Sequence, residues 1–257
     1  MAVVTGAGSG IGRAIAVALA SAGASVVCGD IDADSATETA KMTGGCPVGA
    51  DASSVDGINT LLDAARQNFG PVDIYVANAG IVGQPGLGDD ESAWDRILDV
   101  NLRAHIRAAK AVVPEWVERG RGHFVGVSSA AGLLTQIGAA PYSVTKHAAV
   151  GFAEWLSITY GDNGIGVSCV CPMGVDTPLL RGMSDDPDSE GRVAGAAVTG
   201  AGAVISPQAV ADLVVQSIAG GTFLVLPHPE VLTMYRQKGA DYDRWIAGMR
   251  RYQRSLQ

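Results

Sequence analysis

The chain has 257 residues, of which 47% are apolar and 17% are charged, and its formal net charge at pH 7 is −8. A single α/β domain of this length can bury enough surface to fold without a metal ion or a disulfide. The acidic balance and the lack of any lysine/arginine block exclude nucleic acid and acidic membrane surfaces from the expected partners.

No run of about 18 apolar residues is present, so we expect no membrane span. The chain begins directly on the apolar run 2–4, with neither a basic region nor a cleavage site. Three of the four cysteines, Cys28, Cys169 and Cys171, lie in apolar runs, which favours small buried side chains over redox or metal chemistry. We therefore predict no metal site and a reducing, cytoplasmic compartment.

Short β-rich runs alternate with longer helical patterns along the chain. Several runs are apolar at successive positions, which is typical of parallel strands covered by helices on both faces. Repeated βα units with short links predict right-handed crossovers, and hence one α/β domain over 1–257 with a doubly wound, Rossmann-type, seven-stranded parallel sheet. The predicted strands are 2–5, 24–30, 46–50, 72–77, 122–128, 165–171 and 222–226. The predicted helices are 10–22, 33–42, 54–69, 92–119, 141–161 and 207–219.

The first strand leads into a glycine-rich turn that opens the first helix. Gly6, Gly10 and Gly12 follow the spacing T-G-x-x-x-G-x-G, whereas the generic G-x-G-x-x-G pattern does not fit. Glycines let the backbone turn sharply beside a pyrophosphate, and the free N–H groups of the helix start receive its negative charge. With Ser9 and Ile11 inside it, the turn is a predicted dinucleotide site, although a plain tight turn gives the same local pattern.

The second strand ends at Asp30, 18 residues beyond Gly12. An acid in this place can accept both ribose hydroxyls of NAD and repel the 2′-phosphate of NADP, although it can also be a helix cap. Neither Ser9 nor Ile31 is basic, so nothing nearby is placed to grip a 2′-phosphate. We therefore predict NAD as the cofactor. Two further polar segments, Asp51-Ala52 and Asn78-Ala79-Gly80, follow the third and fourth strands.

Tyr142 and Lys146 are four residues apart, on one face of a predicted helix. Alone, such a pair is more often an amphipathic surface pair. Its neighbours favour a functional interpretation, because Ser128 and Ser129 close the fifth strand, at the edge where open α/β sheets bind ligands. Asn101 lies early in the preceding helical segment.

In this combination the chain resembles the short-chain dehydrogenase/reductase family, in its single-domain, NAD-preferring branch. The resemblance runs in order from residue 2 to about residue 226, and its pieces are specific together although each alone is not. The family's usual interval of 13 residues before the tyrosine selects Ser129 over Ser128. The matching pieces are Thr5, Gly6, Gly10, Gly12, Asp51, Asn78, Ala79, Gly80, Asn101, Ser129, Tyr142, Lys146 and Pro172 to Thr177.

The resemblance implies an oxidoreductase that moves hydride between a secondary alcohol or ketone and NAD. Tyr142 would be the general base and acid, and Ser129 would hold the substrate oxygen. Lys146 would hold the nicotinamide ribose, and Asn101 would anchor a water-linked proton relay. A free tyrosine has a pKa of about 10, which the Lys146 cation and an oxidised nicotinamide ring are expected to lower. The remaining implied cofactor contacts are Ala52, Ala79, Gly80, Pro172, Gly174, Val175 and Thr177, the last two at the carboxamide.

One departure from the family pattern is Met173, which occupies the place of the usual glycine after Pro172. We expect its side chain to narrow the pocket near the nicotinamide. Apolar residues before Tyr142 predict an apolar substrate, and Gln136 is either a polar contact on that approach or a solvent-facing loop residue.

Two segments lie outside this pattern. Residues 179–206 are rich in small residues and lack aromatics, which predicts a long irregular loop that acts as a substrate lid. Residues 229–257 predict a helical tail, whose apolar stripe from Tyr242 to Tyr252 either docks on its own domain or reaches a neighbouring subunit. The helix around Tyr142 is apolar almost all round, which predicts a homotetramer, with a dimer or a monomer as alternatives.

Two rival functions remain. An NADPH-dependent 3-oxoacyl carrier-protein reductase would need basic residues near position 9 or 31 and a basic docking patch, and neither is visible. A non-catalytic dinucleotide sensor would commonly lack the tyrosine or the lysine, whereas this chain keeps all four catalytic positions.

Overall fold

The computed structural model describes residues 1–88, 90–184 and 188–257. Seven strands form one parallel sheet in the order β3-β2-β1-β4-β5-β6-β7, which confirms the predicted doubly wound fold. The strands are β1 Ala2–Thr5, β2 Val26–Asp30, β3 Cys46–Gly49, β4 Ile74–Ala77, β5 Gly122–Val127, β6 Ile165–Val170 and β7 Leu224–Val225. The helices are α1 Gly10–Ser21, α2 Ala33–Thr43, α3 Val55–Phe69, α4 Glu91–Leu98, α5 Ala104–Arg119, α6 Ala131–Leu134, α7 Ala140–Tyr160, α8 Pro178–Ser184, α9 Ser189–Ala201, α10 Pro207–Gly220, α11 Glu230–Ala240 and α12 Tyr242–Leu256.

The sheet separates two apolar cores. Successive strand residues alternate between them, because side chains of a strand point to opposite faces. Val3 belongs to one core and Val4 to the other. Helices α1 and α10 pack together on one face, while α3, α5 and α7 cover the opposite face. Runs that are apolar at every position are therefore strands buried on both sides.

The predicted helix over 92–119 is present as α4 and α5, but a π-helical turn, Asp99–Arg103, lies between them and interrupts the regular α-helical pattern. A π turn adds one residue to the helix and changes the direction of the side chains on it. Here it carries Asn101, whose amide hydrogen-bonds both backbone groups of Ile81. Tertiary hydrogen bonds therefore stabilise a local deviation that periodicity does not show.

The predicted irregular loop over 179–206 is also wrong, since most of the described part of this segment is helical in α8 and α9. Asp188 caps α9 by accepting a hydrogen bond from the Glu190 backbone N–H. The glycines of this segment suggest a loop, but alanine favours a helix, and Ala194 and Ala197 are buried in the packing of α9. Residues 185–187 of this prediction lie outside the described residues.

The C-terminal segment forms α11 and α12, and α12 packs against α9 of the same chain. Of the predicted tail stripe, Trp245, Met249 and Tyr252 are half-buried, whereas Tyr242 and Ile246 are 58% and 50% exposed. No helix in the described ranges combines the length and the apolar character needed to cross a membrane.

Candidate active site

A cavity of about 700 Å³ runs along the carboxyl ends of the strands, from the glycine turn to α12. Most of the residues predicted from the sequence line it. These are Gly6, Ser9, Gly10, Ile11, Asp30, Ile31, Asp51, Ala52, Asn78, Ala79, Gly80, Ser129, Tyr142, Lys146, Pro172, Val175 and Thr177. Three predicted residues, Gly12, Asn101 and Gly174, do not line it.

The glycine turn forms one end of the cavity. Gly6 and Gly10 have φ angles of +62° and +50°, which favour glycine. A Cβ on Gly12 would clash with the carbonyl oxygen of Gly6, so Gly12 allows the helix to pack closely against the turn. Asn78 braces the same turn, because its Nδ2 donates a 2.9 Å hydrogen bond to the carbonyl of Thr5.

The carboxylate of Asp30 lies beside this turn. Its Oδ2 accepts a 2.8 Å hydrogen bond from the Gly8 N–H, and its Oδ1 accepts one of 3.0 Å from the Asp32 N–H. These bonds fix the carboxylate at the cavity edge. Arg13 lies nearby but does not line the cavity, since its guanidinium is bonded to the Gly8 carbonyl and to Glu38.

Asp51 is held on the same side of the cavity. Its Oδ1 accepts hydrogen bonds from the backbone and hydroxyl of Ser53, and its Oδ2 lies 3.2 Å from Nη1 of Arg96. Burial alone would raise its pKa, but these bonds and the Arg96 charge hold the pKa below its ordinary value. The carboxylate therefore stays ionised and oriented as an acceptor.

The centre of the cavity contains Tyr142 and Lys146 on α7. The Nζ of Lys146 lies 5.5 Å from the centroid of the Tyr142 ring and donates a 3.1 Å hydrogen bond to the Val127 carbonyl. Burial lowers the pKa of Lys146 to about 8. Burial raises the pKa of Tyr142, although its hydrogen bond with Ser129 opposes the rise. The predicted lowering of this pKa by Lys146 together with an oxidised nicotinamide ring stays a prediction for the complex with the cofactor.

The two serines after β5 have different surroundings. The Ser128 hydroxyl donates a 3.0 Å hydrogen bond to the Lys146 carbonyl and so braces α7. The Ser129 hydroxyl is the one that lies beside Tyr142. Only Ser129 is thus arranged to share a substrate oxygen with the tyrosine.

Asn101 is fully buried below the cavity. Its Oδ1 accepts a 2.9 Å hydrogen bond from the Ile81 N–H, and its Nδ2 donates to the Ile81 carbonyl at 2.8 Å and to the Thr145 hydroxyl at 3.2 Å. The amide joins the loop after β4 to α7. Its geometry is that of a positioning residue.

The sequence does not predict three buried groups that interact electrostatically with Lys146, namely His105, Cys169 and Cys171. His105 is buried one helical turn after Asn101, and its Nε2 has no partner in the described part of the chain. Burial, assisted by the Lys146 charge, lowers the pKa of His105 to about 3. The thiols of Cys169 and Cys171 lie 3.8 Å apart on the same side. Their proximity to Lys146 depends on tertiary packing, so no local pattern signals it.

Gln136 is not a solvent-facing loop residue. It is half-buried, and its Nε2 donates 3.1 Å hydrogen bonds to the carbonyls of Ile137 and Ala194. Across the cavity, the Tyr252 hydroxyl donates a 3.1 Å hydrogen bond to the Ala197 carbonyl. The two side chains tie α9 to the rest of the fold from both sides.

Met173 lines the cavity at the family's usual glycine position, and its backbone N–H donates a 3.1 Å hydrogen bond to Nδ1 of His228. That its side chain narrows the pocket near a nicotinamide stays a prediction. No group of three or more His, Cys, Asp or Glu residues gathers as metal ligands within the described ranges.

Comparison with known proteins gives consistent matches. The family described as short chain dehydrogenase matches residues 1–188. A 1-deoxy-11-beta-hydroxypentalenate dehydrogenase from Streptomyces exfoliatus is 32% identical over 255 residues, covering 96% of this chain and 89% of that protein. A cis-4-hydroxycyclohexanecarboxylate dehydrogenase from Sinomonas cyclohexanicum is 34% identical, covering 72% of this chain and 81% of that protein. A solved structure from Burkholderia phymatum, a short chain dehydrogenase/reductase in complex with NAD, matches with a TM-score of 0.83 at 29% identity, covering 94% and 93% of the two chains.

Proposed function

The chain belongs to the short-chain dehydrogenase/reductase family, and on this basis we propose that it is an NAD-dependent dehydrogenase of an apolar secondary alcohol, or a reductase of the corresponding ketone. The observation that carries the proposal is the meeting of Ser129, Tyr142 and Lys146 in one cavity, between the glycine turn and an apolar end. Its relatives are named as dehydrogenases of hydroxyl-bearing compounds, which supports the same reaction class.

The residues of the cavity fit a nicotinamide dinucleotide. A Cβ on Gly10 would lie 3.0 Å from Thr177 Cγ2, so the glycine keeps the passage open where a pyrophosphate would lie. NAD would supply the hydride acceptor for alcohol oxidation. Asp30 favours NAD because its carboxylate can accept ribose hydroxyls and would repel a 2′-phosphate. Asp51, held ionised by Ser53 and Arg96, would accept a hydrogen bond at the adenine end.

The proton chemistry belongs to the Tyr142 hydroxyl. It would take the alcohol proton during oxidation and return it during reduction, while Ser129 holds the substrate oxygen. Because burial raises its pKa, Tyr142 needs positive charge beside it to act as a base. Lys146 supplies one such charge, and an oxidised nicotinamide would supply the second. Asn101 and Thr145 would keep α7 in register for this step.

We also propose a homotetramer in a reducing, cytoplasmic compartment. Helix α7 presents Val144, Trp155 and Ile158 at 50%, 52% and 83% exposure, and a symmetry mate is the simplest cover for that face. Light scattering tests the assembly: a mass near four chains supports it, and a mass near the 26.2 kDa of one chain contradicts it.

A screen of secondary alcohols with NAD or NADP, followed by the absorbance of the reduced cofactor, tests the activity. We expect turnover of apolar secondary alcohols with NAD and markedly less with NADP. Turnover only with NADPH and 3-oxoacyl thioesters would support the reductase alternative. A protein that binds NAD but oxidises no alcohol and reduces no ketone would contradict the proposal and favour a sensor.

A further inference from the structure

We propose that the substrate is a bulky, uncharged, alicyclic alcohol, and that the C-terminal helix α12 determines how large a substrate the enzyme accepts. This inference rests on the proposed dehydrogenase function and adds its substrate class. It concerns a part of the chain beyond the family match, which ends at residue 188.

Helix α12 contributes a wall to the cavity of its own chain. Trp245, Met249 and Tyr252 repeat at helical spacing, are half-buried and line the cavity. Ile246, on the flank of this stripe, is 50% exposed and does not line the cavity. These three side chains of the tail stripe therefore face the part of the cavity into which a substrate bound at Tyr142 would extend.

This wall is fixed by specific hydrogen bonds. The Tyr252 hydroxyl donates to the Ala197 carbonyl of α9 at 3.1 Å. On α11, the buried Lys238 donates a 2.7 Å hydrogen bond from Nζ to the Leu133 carbonyl of α6. Each end of the tail is thus tied to an element that itself lines the cavity. A wall held in this way can select by size.

The apolar end is rich in methionine. Four of the six methionines in the chain line the cavity, and they come from different elements: Met173, Met183, Met234 and Met249. Methionine is unbranched and polarizable, so it adapts to irregular apolar shapes. The chemistry of this end therefore suits a large ring system, and it tolerates variation in ring shape.

Charge is confined to the other parts of the cavity. Among the described residues that line it, the charged side chains are Asp30, Asp51 and Arg96 at the dinucleotide end and Lys146 at the centre. The described lining residues of α8, α9, α11 and α12 carry no charge. A carboxylate placed among them would lose its hydration without gaining a partner. The substrate should therefore be uncharged, unlike the acids named for two of the relatives.

Steady-state kinetics with NAD on a graded set of alcohols tests the class. The set is cyclohexanol, a decahydronaphthol and a tricyclic perhydrophenanthrenol, with 4-methylcyclohexanol and 4-hydroxycyclohexanecarboxylate as a pair that differs in charge. Each newly buried methylene is worth roughly a fourfold gain, so kcat/KM should rise at least about tenfold from one ring to three. The carboxylate should fall at least about tenfold below its methyl analogue.

A pair of variants tests the role of α12. Met249→Trp fills the far end of the cavity and should lower kcat/KM for the tricyclic alcohol about tenfold or more, mainly through KM, and by a clearly larger factor than for cyclohexanol. Ile246→Trp adds a large ring to the exposed side of the same helix and should change neither substrate. Calorimetric titration of the tricyclic alcohol into the NAD complex gives a readout independent of turnover. If Met249→Trp melts well below the wild type, Met249→Phe replaces it in the same comparison.

Equal efficiency for all ring sizes would overturn the inference while leaving the proposed function intact. The inference also fails if the carboxylate is preferred to its methyl analogue, or if Met249→Trp and Ile246→Trp behave alike. The absence of turnover with every alcohol and both cofactors would instead overturn the proposed function, and this inference with it.

Discussion

The ammonium group of Lys146 lies 5.5 Å from the centroid of the Tyr142 ring, one helical turn away on α7. Its Nζ donates a hydrogen bond to the Val127 carbonyl, but burial still lowers its pKa to about 8 from an ordinary 10.5. Folding thus places a cation where it is costly, directly under the tyrosine that would use it. Functional sites commonly hold such perturbed groups.

The cost of that cation is measurable. Lys146→Met should raise the free energy of unfolding at pH 7 by about 1–2 kcal/mol, after allowing for the lost hydrogen bond, and should remove activity. Because the folded-state pKa is lowered, the penalty is complete below pH 8 and disappears as the pH rises from 8 towards 10.5. Urea unfolding at fixed protein concentration across this range measures it.

Lys41, exposed on α2, provides the matched control, since Lys41→Met should leave stability almost unchanged at every pH. A Lys146→Met protein that is less stable than the wild type at pH 7 would show that the buried cation is compensated.

Asp30 should determine cofactor preference. In the double variant Asp30→Ala with Ile31→Arg, the repulsion of a 2′-phosphate is removed and a cation is added at an exposed position that lines the cavity. We expect kcat/KM to fall about tenfold with NAD and to rise about tenfold with NADP, each change being worth ~1.4 kcal/mol. Asp34→Ala, an exposed acid on α2 outside the cavity, serves as the control. A wild type that already prefers NADP would refute the assignment.

Helix α9, which belongs to the predicted lid segment, should become more mobile when the Tyr252 hydroxyl is removed. Tyr252→Phe keeps the ring in the cavity wall but loses the hydrogen bond to the Ala197 carbonyl, worth about 1 kcal/mol. Amide hydrogen exchange in α9 should then become about fivefold faster. Tyr235→Phe, on the more exposed α11 side chain, should leave exchange in α9 unchanged. Equal exchange in both variants would show that packing alone holds α9.

Binding of NAD and an alcohol should slow amide hydrogen exchange in α9. If α9 acts as a substrate lid, its exchange and its cleavage by protease should slow when NAD and an alcohol are both present. Ligand-independent exchange would mean that α9 is a fixed wall.

The parts of the site that the sequence predicts are those encoded by short spacing. The glycine turn, Asp30, Tyr142 and Lys146 each lie within one element or at its end, and alternating βα units are enough to bring these ends to one sheet edge. The seven strands are predictable as well, because each is a short apolar run that can be recognised locally.

The remaining features depend on contacts between distant segments. The π turn at Asn101 is stabilised by Ile81 and Thr145, which periodicity cannot reveal. Helix α9 contains several glycines, which predict a loop, and its stability depends on the burial of Ala194 and Ala197, which the sequence does not show. The tail stripe can be recognised in the sequence. Whether it lines the cavity of the same chain depends on the position of α9, against which α12 packs.

Tyr142→Phe tests the central claim most directly, with NAD affinity and alcohol turnover measured on the same protein. Because the ring remains and only the hydroxyl is lost, NAD binding should stay within about twofold of the wild type, while kcat for alcohol oxidation should fall by roughly 10²–10⁴-fold, as expected for loss of a general acid–base group. Turnover near the wild-type rate, with NAD binding intact, would contradict the account.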